Sequence, residues 1–125
     1  MKLLIDTHVA IWFLKGDPTL GEPVRALLED GANEIFISAA SLWEAEIMKA
    51  GGKLDWPDDA LGLLGSLGIG IVEMRTTDAI AAARLPPHHG DPFDRMMIAQ
   101  TLHHGMIFVT RDRNALKYNV PIQVA

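Results

Sequence analysis

The strongest constraint on this chain is the form of its apolar segments. They are short, unbroken and regularly separated by amphipathic stretches. Leu3–Ile5, Ile35–Ile37 and Met106–Val109 are continuous apolar runs rather than alternating ones. A strand read this way is covered on both faces, which is the condition of a parallel sheet sandwiched by helices. The segments between them carry helix signals. Val9–Leu14 is apolar and is stopped by Gly16-Asp17-Pro18, and Pro23–Asp30 has proline in its first turn. Ala40–Ala50 ends at Gly51-Gly52, Ala60–Leu67 is weakened by Gly62 and Gly65, and Thr77–Leu85 follows a third strand at Ile69–Met74. Asp91–His104 ends at Gly105, and Asn114–Tyr118 is a short helical turn before a last strand at Pro121–Val124. The expectation is one α/β domain over residues 1–125. Its central sheet is mostly parallel, of order 3-2-1-4-5, with helices on both faces.

Size supports a single core. At 13.7 kDa the chain is expected to expose about 6,600 Å² folded against about 20,000 Å² unfolded. The hydrophobic fraction of 49% excludes disorder, and the absence of cysteine excludes a disulfide framework, a thiolate nucleophile and a Cys-based zinc site. Met1–Ile5 opens like a signal peptide, but Asp6, Thr7 and His8 interrupt it. No apolar run approaches the length of a membrane span, so a cytoplasmic location and no membrane partner are expected.

Parallel topology brings strand C-termini and helix N-termini to one edge, where ligands of open α/β sheets bind. Asp6 follows the first strand and Asp112 follows the fourth. Asp91 and Asp94 open the helix leading into strand four, and Glu44 lies in the second turn of the helix after strand two. Carboxylates gathered at one edge repel unless cations lie between them, and such hard oxygen ligands suit Mg²⁺ or Mn²⁺. Each acid also has a plainer explanation. Asp6 and Asp112 suit helix caps. Asp91 before Pro92 is a natural N-cap, orienting the site indirectly at most, and Asp94 could complete a capping box. Glu44 is the least easily explained, because Ala40, Ser41, Ile47 and Met48 give it no cation one turn away.

The segments Leu4-Ile5-Asp6-Thr7-His8, Ser41-Leu42-Trp43-Glu44, Asp91-Pro92-Phe93-Asp94-Arg95 with Ile98-Ala99-Gln100, and Val109-Thr110-Arg111-Asp112 together resemble a PIN domain. More closely, they resemble the VapC toxins of toxin–antitoxin pairs, over essentially the whole chain and in order. The resemblance implies a metal-dependent endoribonuclease that uses one or two Mg²⁺ or Mn²⁺ ions. Asp6, Glu44, Asp94 and Asp112 would be its acidic quartet, and Thr110 would lie close to the metals. It implies hydrolysis of RNA by an activated water, leaving 5′-phosphate and 3′-hydroxyl ends. It further implies a VapB-type antitoxin partner and a homodimer. Thr7, Asp91 and Arg95 are supporting or substrate-facing candidates, with Arg95 expected to pair with a nearby carboxylate. Arg111, Arg113 and Lys117 form a basic patch, either plain surface or an RNA track.

Other chemistries fit less well. A haloacid-dehalogenase-type phosphatase wants an acid where His8 stands, a receiver domain wants one near Met74-Arg75-Thr76, and a dinucleotide-binding fold wants a glycine-rich turn after strand one. His88-His89 and His103-His104 lack the spacing of a zinc site. The non-enzymatic alternative is a PIN-like module that only binds RNA or protein; such a scaffold is free to lose acids, and none is missing here. Trp12, Phe13, Trp43 and Trp56 suit core packing, with any exposed share suiting an apolar groove for an antitoxin helix. The net charge of −5 argues at first against nucleic acid. Two divalent cations at the acidic quartet would neutralise four of those carboxylates and remove the objection.

Overall fold

A computed structural model describes all 125 residues. β1 (Lys2–Ile5), β2 (Glu34–Ser38), β3 (Gly70–Val72), β4 (Ile107–Thr110) and β5 (Ile122–Val124) form one sheet of order β3-β2-β1-β4-β5. All four pairings are parallel, so the sheet is wholly rather than mostly parallel. Ile5 lies opposite Ile37 on one side and Val109 on the other, which brings the ends of β1, β2 and β4 level.

The apolar runs are unbroken because both faces of each strand are buried. Leu3, Ile5, Ile35, Ile37 and Val109 point into one core with Val9 and Ala10 of α1 (Thr7–Lys15), Val24 and Leu28 of α2 (Glu22–Glu29) and Leu64 of α4 (Ala60–Ser66). Leu4 and Phe108, one residue out of phase, point to the opposite core with Met97 and Ile98 of α6 (Pro92–His104). α3 (Ala39–Ala50) and α5 (Thr76–Arg84) pack against α6. Ser41 Oγ donates to Met97 Sδ at 3.0 Å, and Asp78, 1% exposed, accepts from His103 Nδ1 at 2.7 Å. The accessible surface is 6689 Å². No helix is long and apolar enough to cross a membrane.

Boundaries shift where side chains intervene. α1 begins at Thr7 rather than Val9 because Asp6 caps it, accepting the Val9 N–H at 2.8 Å. β3 covers only Gly70–Val72. Ile69 is claimed by the turn closing α4, through its N–H to Leu64 C=O, and the ladder stops where β2 ends at Ser38. The last turn is a 3₁₀ helix, Arg113–Lys117. Gly16 and Gly105 end α1 and α6 with φ of 62° each, a conformation that glycine adopts without Cβ strain. Trp56 meets the packing expectation: it is 2% exposed, against Ile11, Ala45 and Ala60. Trp43 does not, being 57% exposed.

Phe108 is 1% exposed at the centre of the sheet. Phe108→Ala should cost about 3–5 kcal/mol of stability, read from the shift in urea unfolding midpoint, with no change of fold by circular dichroism.

Candidate active site

Asp6, Asp94 and Asp112 line one open cleft of about 400 Å³ at the carboxyl edge of the sheet, together with His8, Trp12 and Arg111. Each acid reaches it from a different element. Asp6 ends β1, Asp94 lies in the first turn of α6, and Asp112 follows β4.

Capping and site-building use different oxygens of the same carboxylates. Asp6 Oδ1 accepts the Val9 N–H, while Oδ2 accepts the Thr110 hydroxyl. Thr110 Oγ1 in turn accepts the Asp112 N–H at 3.0 Å, so one buried hydroxyl joins the ends of β1 and β4. Asp112 Oδ1 accepts the Asn114 N–H at 2.9 Å and caps the 3₁₀ turn, while Oδ2 turns to the His89 ring. Asp91 is the N-cap of α6, accepting from the N–H groups of Phe93 at 2.8 Å and Asp94 at 3.4 Å. The capping box does not form. The Asp91 N–H goes to His89 Nδ1 at 3.1 Å, which releases the Asp94 carboxylate to the cleft.

His89 is the residue that sequence reasoning missed. Its Nε2 lies 3.1 Å from Asp94 Oδ2 and is hydrogen-bonded to Asp112 Oδ2. His89, Asp94 and Asp112 are the one group whose ligand atoms come within 4.8 Å of one another. The usable signal was the acceptor that the N–H of Asp91 needs, ahead of a proline that opens the helix.

Glu44 is half-buried in α3 and makes no hydrogen bond or ion pair. It is close enough for its charge to act on Asp94, but it does not line the cleft. The Thr7 hydroxyl is buried without a partner. Arg95 corrects an expectation: it pairs with no carboxylate. Its guanidinium donates to the carbonyls of Ala82, Ala83, Leu85, Pro86 and His89, bracing the loop between α5 and α6. Five N–H donors suit a cluster of loop carbonyls better than one carboxylate does. Arg111 is also committed. It lies 4.6 Å from the Trp12 ring centroid and donates to the carbonyls of Ala125 and Thr19, so of the basic patch only Arg113 and Lys117 have free head groups.

The cleft is an electrostatic problem within the chain. Burial pushes the Asp94 carboxyl up to about 7, reinforced by Asp91, Asp6 and Glu44 against a lowering influence of His89. Burial also raises Asp6, against the hydrogen bonds from Thr110 and Val9. No lysine or arginine pairs with any of the three acids. Clustered carboxylate oxygens with no lysine or arginine partner are a donor set that fits a hard divalent cation.

Residues 3–120 match the PIN domain family, and the chain belongs to it. It is 28% identical over 122 residues to Ribonuclease VapC22 of Mycobacterium tuberculosis, covering 95% of this chain and 93% of that protein. Two solved structures share the fold at a TM-score of 0.72. One is VapBC2 of Rickettsia felis bound to a promoter DNA fragment, at 14% identity. The other is DNA-bound VapBC of Salmonella typhimurium, at 18% identity. Each alignment covers 99% of this chain and 98% of the other.

Because the Asp94 carboxyl is raised from an unfolded value near about 3.9, its contribution favours the folded state at acid pH. That contribution is lost as pH rises through about 7. In chelator-treated protein, urea unfolding should show wild type losing stability relative to Asp94→Asn between about pH 4 and about pH 7, with no further loss above. Parallel pH curves for the two would contradict the assignment.

Proposed function

We propose that this chain is a metal-dependent endoribonuclease and the toxin of a VapBC-type pair. The observation that carries the reading is the convergence of Asp6, Asp94 and Asp112 from three elements on one cleft, with no lysine or arginine to neutralise them. The match to a ribonuclease along nearly the whole chain supports the activity, and the likeness to VapBC complexes supports a VapB-type antitoxin as partner.

Asp6, Asp94 and Asp112 would hold one or two Mg²⁺ or Mn²⁺ ions. Such ions supply the charge neutralisation and water activation that phosphodiester hydrolysis requires. Thr110 fixes the Asp6 carboxylate and the backbone before Asp112. Asp91 sets the start of α6 and so the placement of Asp94. Glu44, beside Asp94 and without an internal partner, would bind an ion or orient the attacking water. No side chain is needed as nucleophile, so no covalent intermediate forms. A second cleft of about 360 Å³, lined by Leu42, Trp43, Trp56, Ala60 and Leu61 with Glu46, Asp58 and Asp59 at its polar side, suits an amphipathic antitoxin helix.

Purified wild-type protein with Mn²⁺ should cleave RNA. Asp6→Asn should lose more than the roughly 10–100-fold typical of removing a supporting residue. Full-rate cleavage by Asp6→Asn, with ends mapped by RNA sequencing, would refute the site. Binding of a non-cleavable RNA should be weak in chelator and should strengthen on adding Mg²⁺, measured by fluorescence anisotropy. A module that only binds RNA would show no such dependence.

A further inference from the structure

His89 lies in the loop between α5 and α6, and its side chain is 10% exposed. Its backbone is pinned on both sides. The His89 N–H donates to the Tyr118 hydroxyl at 3.0 Å, and its carbonyl accepts from Arg95 at 3.1 Å. Tyr118 is itself held, donating to the Pro86 carbonyl at 2.6 Å. The ring is fixed at both nitrogens, Nδ1 by the Asp91 N–H and Nε2 by the carboxylates of Asp94 and Asp112.

These contacts decide what the ring can do. A backbone N–H can only donate, so Nδ1 is an acceptor and carries no proton. The single proton of the neutral imidazole is then on Nε2, aimed at the two carboxylates. A metal-ligating nitrogen must instead present a lone pair. Ligation through Nε2 would move the proton to Nδ1 and break the bond to Asp91, the residue that caps α6. As a donor, the ring needs no such change. It puts one N–H between two carboxyl groups and leaves Asp94 Oδ1 without a hydrogen bond inside the chain.

We propose that His89 is a positioning residue whose Nε2–H holds Asp94 and Asp112 in the arrangement that receives the cation. The inference rests on the metal-site reading above and extends it: carboxylates that bind metal are themselves oriented by hydrogen bonds from the next layer of residues.

Calorimetric titration with Mn²⁺ tests it on wild type, His89→Ala and His89→Gln, alongside ¹⁵N-histidine NMR of wild type with Mg²⁺. His89→Ala should bind Mn²⁺ roughly 10–100-fold more weakly. His89→Gln, whose amide can donate from near the Nε2 position, should recover most of the loss. The NMR signature should be a protonated Nε2 and a bare Nδ1, both before and after saturation with Mg²⁺. Equal or tighter Mn²⁺ binding by His89→Ala overturns the proposal, as does loss of the Nε2 proton on Mg²⁺ binding, which marks a ligand. A flat wild-type titration would overturn the metal site itself, and this inference with it. If His89→Ala does not fold, His89→Gln and the wild-type NMR decide the question.

Discussion

Burial of acidic side chains at the carboxyl edge of the sheet, Asp94 and Asp6 above all, is the constraint on which the rest of the structure turns. Burial and neighbouring acids hold the Asp94 carboxyl near neutrality, at about 7, a cost that the fold carries rather than relieves. An ordinary surface would spread such charges or pair them with lysine. Here two guanidinium groups close in sequence to these acids are turned to other work. Arg95 braces loop carbonyls, and Arg111 ties the C-terminus to the region of Thr19 over the Trp12 ring.

The parallel sheet explains how such a cluster is assembled without strain. Each helix or turn that leaves the carboxyl edge has unsatisfied N–H groups, and an aspartate there lowers the cost of starting it. Asp6 and Asp112 each give one oxygen to that task and turn the other to a partner at the cleft, Thr110 and His89 respectively, while Asp91 takes the cap of α6 and frees Asp94. The capping and metal-binding explanations for these acids are therefore not rivals. Capping fixes the carboxylate rotamers, and the sheet register, which sets Ile5 beside Val109, brings two of them together through Thr110.

Legibility in the sequence followed the range of the forces involved. The unbroken runs at Leu3–Ile5 and Met106–Val109 announced strands buried on both faces, and the alternation with helices announced their parallel pairing. The meeting of Asp6, Asp94 and Asp112 in one cleft was legible because topology sends all three to one edge. What stayed hidden depended on partners distant in sequence. The limits of β3 are set by where β2 ends, and the partners of Arg95 are carbonyls exposed by the end of α5 and its loop. His89 escaped notice because its role depends on Asp112, 23 residues away, and on an N–H that only the failed capping box leaves free. Glu44 was expected beside the other acids. Its charge reaches Asp94, but its side chain does not line the cleft.

The most direct test of the central claim is a crystal structure of the chain with Mn²⁺, read by anomalous scattering. The account predicts an anomalous peak within coordinating distance of Asp6, Asp94 and Asp112. A peak elsewhere, or none at saturating Mn²⁺, would contradict it.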